Sequence, residues 1–250
     1  MTYFMKPTIR TKYIIAVFGS TNNADDATLT NAEKIGAEVA NAGCILLTGG
    51  TGSKSNTVKD CAIGGAEGAR NNEVSGWWIG VSPHAQTLTC DINDGLLCII
   101  NTNLSNKRNF LEGCLCDAAI AFDGGDGTVS EVISCLSMQK PVALIGEWEI
   151  DYPLNDPKTI NKMVEKSFGR FNEKPTNDTS LDHLLVKDKI IKNLTSLPSY
   201  TYYSMKDATD TPHLIVKNLL EQLEGFSGEF PALPLYNKVK AQYDAWVNLL

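Results

Sequence analysis

Short apolar segments alternate with longer segments of helical periodicity along most of this chain. Each apolar segment has five or six residues and ends in a glycine or polar turn, which is typical of a buried parallel strand. The predicted strands are 13–18, 44–48, 77–81, 96–100, 118–122 and 141–145, with 200–204 as the seventh candidate. Strand and helix segments in alternation predict an α/β fold. We expect a three-layer, Rossmann-like, doubly wound parallel sheet of about six or seven strands with a helical carboxy-terminal extension.

Helical periodicity defines the segments between these strands and after them. Predicted helices cover 28–42, 56–69, a segment carrying Arg108 and Leu111, a segment from Thr128, and 211–224, with further helical patterns at 159–168, 181–194 and 238–250. The 56–69 segment is rich in small residues, which allow close backbone packing.

Three regions follow from this pattern. Residues 1–12 are predicted to be a flexible N-terminus, and 13–225 to be one Rossmann-like nucleotide-binding domain with an insertion near 167–199. Residues 226–250 are predicted to be a helical extension. The apolar stripe of that extension would dock on its own domain or on a partner subunit.

Composition narrows the class of protein. A chain of 250 residues with 43% hydrophobic residues can bury one large core. Its net charge of −7 disfavours general binding to nucleic acid or to an acidic membrane. The seven cysteines form no CxxC pair, so reduced structural thiols are expected rather than a zinc site. The chain has neither an export signal nor a bilayer-length apolar run, which predicts a cytoplasmic location.

The most informative stretch is the strand, turn and helix that run from residue 118 to Glu131. The apolar strand is followed by Asp123-Gly124-Gly125-Asp126-Gly127, and helical spacing begins at Thr128. Glycines in such a turn let the backbone approach a ligand closely, and the helix that follows can bind a phosphate on its first amide groups. Glu131 lies one turn into that helix. Its negative charge suggests chemistry or ribose binding rather than phosphate binding.

Two further glycine-rich turns are predicted at the same edge of the sheet. Gly19-Ser20 follows the first strand and Gly49-Gly50 follows the second. Ligands of doubly wound folds bind outside the carboxyl ends of the strands, so these four residues are candidates for a nucleotide or phosphate site. Neither turn has the GxGxxG pattern, and NAD is therefore not predicted.

The segment from Gly124 to Glu131 resembles the GGxGTxxE motif of the LOG family, the cytokinin-activating phosphoribohydrolases, within the wider SLOG and molybdenum-cofactor-carrier-like superfamily. Arg108 precedes Glu131 at the spacing that this family uses, and Asp117 stands where the family has an Asp before the strand. The resemblance is strong for residues 13–146. Asp123 takes the place of the family's proline.

This resemblance implies a nucleoside 5′-monophosphate N-glycosidase that releases a purine-type base and ribose 5-phosphate. Arg108 and Glu131 would be the catalytic residues, with Arg108 positioning the substrate and Glu131 stabilising an oxocarbenium ion or activating water. The phosphate would bind at Gly124, Gly125, Gly127 and Thr128. No metal and no redox cofactor are implied, and the assembly would be a homodimer or a higher homo-oligomer.

The same pattern also fits a protein that binds a ligand without catalysing a reaction. Relatives in the wider superfamily bind or carry nucleotides or the molybdenum cofactor, and a GGxGT turn serves them equally well. Asp123 and the unusual last hundred residues favour this alternative, whereas the presence of both Arg108 and Glu131 favours the enzyme. The sequence leaves both hypotheses open.

Overall fold

The structure is a computed structural model. It describes residues 13–20, 24–50, 56–69, 76–82, 95–102, 104, 108–138, 140–146, 148 and 200–225. The predictions for residues 1–12, the helical patterns at 159–168 and 181–194, the insertion and the C-terminal extension lie outside these described residues.

The described residues contain a seven-stranded sheet, and all of its strand pairs are parallel. Its order is β4-β3-β2-β1-β5-β6-β7. The strands are β1 Ile14–Phe18, β2 Ile45–Thr48, β3 Trp78–Ser82, β4 Leu96–Asn101, β5 Ala118–Phe122, β6 Val142–Ile145 and β7 Tyr200–Tyr203. Because β5 and β6 are buried along their whole length, they consist of apolar residues alone. The predicted fold class is confirmed.

Helices cover both faces of the sheet and complete the three layers. They are α1 Asp26–Asn41, α2 Val58–Gly68, α3 Arg108–Leu115, α4 Asp126–Ser137, α5 Met205–Asp210 and α6 Pro212–Gly225. Apolar side chains of α1, α2 and α6, such as Ile35, Ala62 and Leu219, form the core on one face. Side chains of α4, such as Ile133 and Leu136, form the core on the other face, where Leu111 of α3 packs against them.

Helices α1 and α2 pack with their backbones in contact. A Cβ on Gly36 would collide with the carbonyl oxygen of Ala62, and a Cβ on Gly65 would collide with that of Glu33. Only glycine fits at either position without moving the helices apart. The close packing predicted from the small residues of α2 is therefore found against α1, and it holds the start of α2 at the carboxyl edge of the sheet.

The order in which successive strands are added to the sheet reverses between β1 and β5. Strands β1 to β4 follow one another outwards on one side, and β5 to β7 do so on the other. Phe18 at the end of β1 pairs in register with Ala121 near the end of β5. The two turns that follow these strands therefore emerge side by side. This is the switch point at which open α/β sheets bind ligands.

Most predicted bounds are shifted by one or two residues, and two of these shifts have clear local reasons. Helix α4 begins at Asp126 rather than Thr128, because the chain is already helical after the N-cap residue Gly125. The seventh strand ends at Tyr203, and α5 was not predicted. Ser204 caps α5 through a capping box with Asp207, so a Ser-x-x-Asp pattern begins a short helix directly after the strand.

Candidate functional site

The turns after β1 and β5 lie against each other at the switch point. A Cβ on Gly124 would lie 3.2 Å from the backbone nitrogen of Ser20 and would collide with the Thr128 hydroxyl oxygen. On the other side of the same turn, a Cβ on Gly19 would come within 2.6 Å of the Val58 side chain. Gly124 therefore lets the two turns approach each other, and Gly19 makes room for α2 beside them. The site is built here from main chain rather than from large side chains.

The N-terminus of α4 faces this meeting point without a side-chain cap. Its N-cap residue is Gly125, which makes no side-chain capping hydrogen bond. Among the described residues, nothing lies within 4 Å of a Cβ added to Gly125, so their side of the site is open there. Uncapped first-turn amides and the positive end of the helix dipole form a site suited to an anion. Thr128 adds a hydroxyl group close to the turn and is 4% exposed.

Asn109 fixes the position of this helix start. Its side-chain amide donates to the Gly127 carbonyl oxygen at 3.2 Å and to the Ser130 hydroxyl oxygen at 2.7 Å. The Ser130 hydroxyl in turn donates to Gly127 at 2.7 Å. Sequence reasoning missed Asn109. The available signal was its position directly after Arg108, where it is buried at the start of α3.

Arg108 joins the carboxyl ends of two strands to α3. Its Nη1 donates to the carbonyl oxygens of Gly49 and Val81, at 2.7 and 2.6 Å, and to Glu112 Oε1 at 2.7 Å. The ion-pair partner of Arg108 in the described residues is thus Glu112, four residues along the same helix. The spacing of four residues was the signal by which sequence reasoning could have found Glu112.

Glu112 and Glu131 form a buried carboxyl pair behind the two turns. Their exposures are 0% and 3%. Burial raises the pKa of Glu112 well above its ordinary value of 4.5; the charge of Glu131 adds to this rise, and Lys59 and Arg108 oppose it. Glu112 Oε2 is buried without a hydrogen-bond donor in the described residues. The unpaired oxygen and the raised pKa together mark Glu112 as a carboxyl group that binds a proton more readily than an exposed glutamate does.

The turn after β2 packs against two cationic side chains. A Cβ on Gly49 would collide with Lys59 Nζ and would lie 2.5 Å from Arg108 Nη1. Gly50 has a φ of +57° and packs against Gly80, whose Cα would lie 3.0 Å from an added Cβ. These two glycines therefore make room for the cations and for close backbone packing. Sequence reasoning missed Lys59, because it comes from a helix far from Arg108 in the chain.

All ten residues that the sequence predicted for the site lie at the carboxyl edge of the sheet. Gly19, Ser20 and the four residues of the α4 turn meet at the switch point, whereas Gly49 and Gly50 contact Arg108 on the β2 side. Glu131 is linked to Arg108 through Glu112. The part that each residue plays in binding or catalysis stays a prediction.

The described residues contain no group of three or more His, Cys, Asp or Glu side chains arranged to hold a metal ion. Among the helices in the same part of the chain, none combines the length and the apolar character needed to cross a membrane.

Fold and site define a Rossmann-like protein whose ligand edge lies at the switch point, and sequence comparison agrees with this class. The model of the SLOG cluster4 family matches residues 12–176, which is more than half of the chain, so the protein belongs to this family. The predicted place within the wider SLOG superfamily is confirmed. The family match and the solved structures that this chain resembles support a nucleotide- or cofactor-binding family. Comparison with curated proteins gives no significant match.

Two solved structures resemble this chain over almost their whole length. The molybdenum cofactor binding protein from the phototrophic bacterium Rippkaea orientalis is 26% identical, with a TM-score of 0.52; the match covers 84% of this chain and 99% of that one. The Moco carrier protein from Chlamydomonas reinhardtii is 25% identical, with a TM-score of 0.50, and the match covers 84% and 98% of the two chains.

Proposed function

We propose that this protein binds a phosphate-bearing small molecule, a nucleotide or a nucleotide-like cofactor, at the switch point between β1 and β5. The observation that carries this proposal is the uncapped N-terminus of α4, set beside a backbone turn that admits only glycine. The phosphate would accept hydrogen bonds from the amides of Gly125, Gly127 and Thr128. Gly19 and Ser20 would line the opposite wall of the site.

A cofactor of the molybdenum-cofactor class is the first ligand to test, because both structural neighbours are named for it. The residues present fit a phosphate-bearing organic cofactor, since the α4 turn offers amide donors and open space. They do not suggest a metal ligand set in the described part of the chain. The protein would therefore hold such a cofactor through its phosphate and organic part, and the cofactor would bring its own metal. The proposed function is therefore to bind or carry the cofactor without converting it chemically.

A second candidate function is the phosphoribohydrolase that the GGxGTxxE motif implies. The observation that favours it is the buried pair of Glu112 and Glu131 beside Arg108. A carboxylic acid and a carboxylate in one site can share the proton transfers of glycosidic cleavage. For this activity Glu131 must reach the reacting carbon, and at 3% exposure it does so only once the edge of the sheet opens around a substrate.

The test combines binding with base release. Purified protein is titrated by calorimetry with AMP, GMP, CMP, an N6-modified AMP and the molybdenum cofactor, and each mixture is assayed for free base. We expect saturable binding of at least one phosphate-bearing ligand. Base release that Glu131→Gln abolishes would establish the hydrolase. Binding without release would establish the carrier, and absence of binding to every ligand would overturn the proposed function.

A capping variant makes this test specific for the α4 turn. Gly125→Asp fits sterically against the described residues, none of which lies within 4 Å of the added Cβ, and Asp is a favourable N-cap residue. Its carboxylate would occupy the amides that the phosphate needs and would repel the anion. We expect the folded state to keep its stability and the phosphate ligand to lose about 100-fold or more in affinity. The matched control is Gly64→Asp, which introduces the same charge at an open position on α2.

A further inference from the structure

Lys59 is a buried lysine at the start of α2, and it points to a second binding position at the edge of the sheet. It is the second residue of the helix and is 3% exposed. Helical side chains lean towards the N-terminus of their helix, and this end of α2 lies beside the turn after β2. Its Nζ lies against Gly49, where a Cβ would collide with it. The ammonium group is therefore held at the carboxyl edge, under the β2 turn.

Lys59 has neither a hydrogen bond nor an ion pair within the part of the chain that the structure describes. Its neighbour Arg108 lies against the same glycine but is occupied by two carbonyl oxygens and by Glu112. A buried ammonium group without a partner is unfavourable. A bound anion would offset this cost.

The charges around Lys59 favour an anion. Two cations, Lys59 and Arg108, lie near the carboxyl pair of Glu112 and Glu131. Burial raises the pKa of Glu112 well above its ordinary value, and Lys59 and Arg108 oppose this rise. An anionic group bound at Lys59 would add a negative charge beside these two cations.

We propose that Lys59 binds a second anionic group of the ligand, at a subsite under the β2 turn that is separate from the phosphate site on α4. This inference rests on the proposed function. Strand β1 separates β2 from β5, so these two strands lie roughly 10 Å apart; Lys59 Nζ lies on the β2 side, against Gly49, whereas the α4 amides follow β5. The ligand class is thereby narrowed to nucleotide-like molecules with two separated anionic groups.

The test compares 5′-AMP, which has one phosphate, with adenosine 3′,5′-bisphosphate, which has two phosphates on separate oxygens. Calorimetry on the wild-type protein should give about tenfold tighter binding of the bisphosphate. Lys59→Met should remove this advantage and change the affinity for AMP by less than about twofold. The control Lys217→Met removes an exposed lysine on α6 and should change neither affinity.

A second readout separates ligand binding from a structural role. If Lys59 has no partner in the free protein, Lys59→Met should leave the melting temperature of the free protein unchanged or raise it. A lowered melting temperature, or a failure to fold, would mean that Lys59 serves as a counter-ion of the carboxyl pair, and it would overturn the inference. Equal affinity of the wild type for both probes would also overturn it while leaving the proposed function intact. Binding of neither probe would count against both.

Discussion

The two halves of the candidate site are built in different ways. Over β1 and β5 the site consists of backbone: glycine turns in contact and the uncapped amides of α4. Over β2 and β3 it consists of charged side chains buried around Gly49, namely Lys59, Arg108 and Glu112. The first half offers a rigid position for one phosphate. The second half places groups of opposite charge together in a buried setting and connects them to Glu131.

We expect the largest loss of stability when the ion pair in the charged half of the site is removed. Glu112→Ala removes the carboxylate that pairs with Arg108 and leaves the guanidinium group uncompensated in a buried setting. The free energy of unfolding should fall by about 3–5 kcal/mol. Urea denaturation followed by circular dichroism measures it. The control is Glu112→Gln, whose amide oxygen still accepts from Arg108; a loss as large as that of the alanine variant would contradict the importance of this contact.

A glycine substitution in each half should have opposite effects on stability. Gly49→Ala places a methyl group on Lys59 Nζ and Arg108 Nη1, and should cost about 1–3 kcal/mol of unfolding free energy. Gly127→Ala meets only Asn109 Nδ2, at 3.9 Å, in the first turn of α4. It should stabilise the protein by about 0.5 kcal/mol, because alanine restricts the unfolded chain. Equal effects of the two variants on the melting temperature would contradict the difference between the halves.

The smallest effect is a pH dependence confined to the charged half. The folded-state pKa of Glu112 is raised, so the folded protein holds its proton more tightly than the unfolded chain does. Stability is therefore unaffected below the unfolded value near 4.5 and falls as the pH rises from there towards the folded pKa. Glu112→Gln lacks this titration. Its unfolding free energy relative to wild type should increase as the pH rises from 5 to 8. A difference that stays constant with pH would contradict protonation of Glu112.

The backbone half of the site could be predicted from the sequence because its signals are local. An apolar strand, a glycine turn and a helical period stand side by side in residues 118–137, and β5 Ala118–Phe122 has the predicted bounds. The parallel sheet and its switch point follow from the alternation of such units. Even so, the first turn of α4 extended further than its apolar spacing indicated, because Asp126 and Gly127 carry no hydrophobic signal.

The charged half could be predicted only in part because its residues come from separate elements. Arg108 was found through its spacing from Glu131, but its contacts with Gly49 and Val81 depend on how β2 and β3 end. Lys59 is 49 residues from Arg108 in the chain, and the two meet only because α2 packs against α1 and the sheet. Burial is what makes Lys59 and Glu112 candidates for a functional role, and burial is a property of the folded protein.

The central claim is that a phosphate binds on the amides of α4 beside the turn after β1. The most direct measurement is a titration of isotopically labelled protein with AMP, or with the tightest ligand of the panel, followed through backbone amide chemical shifts. The account predicts large, saturable shifts for Gly125, Gly127, Thr128 and Ser20, and their loss in Gly125→Asp. Saturable shifts confined to residues away from this turn, or shifts unchanged by Gly125→Asp, would contradict it.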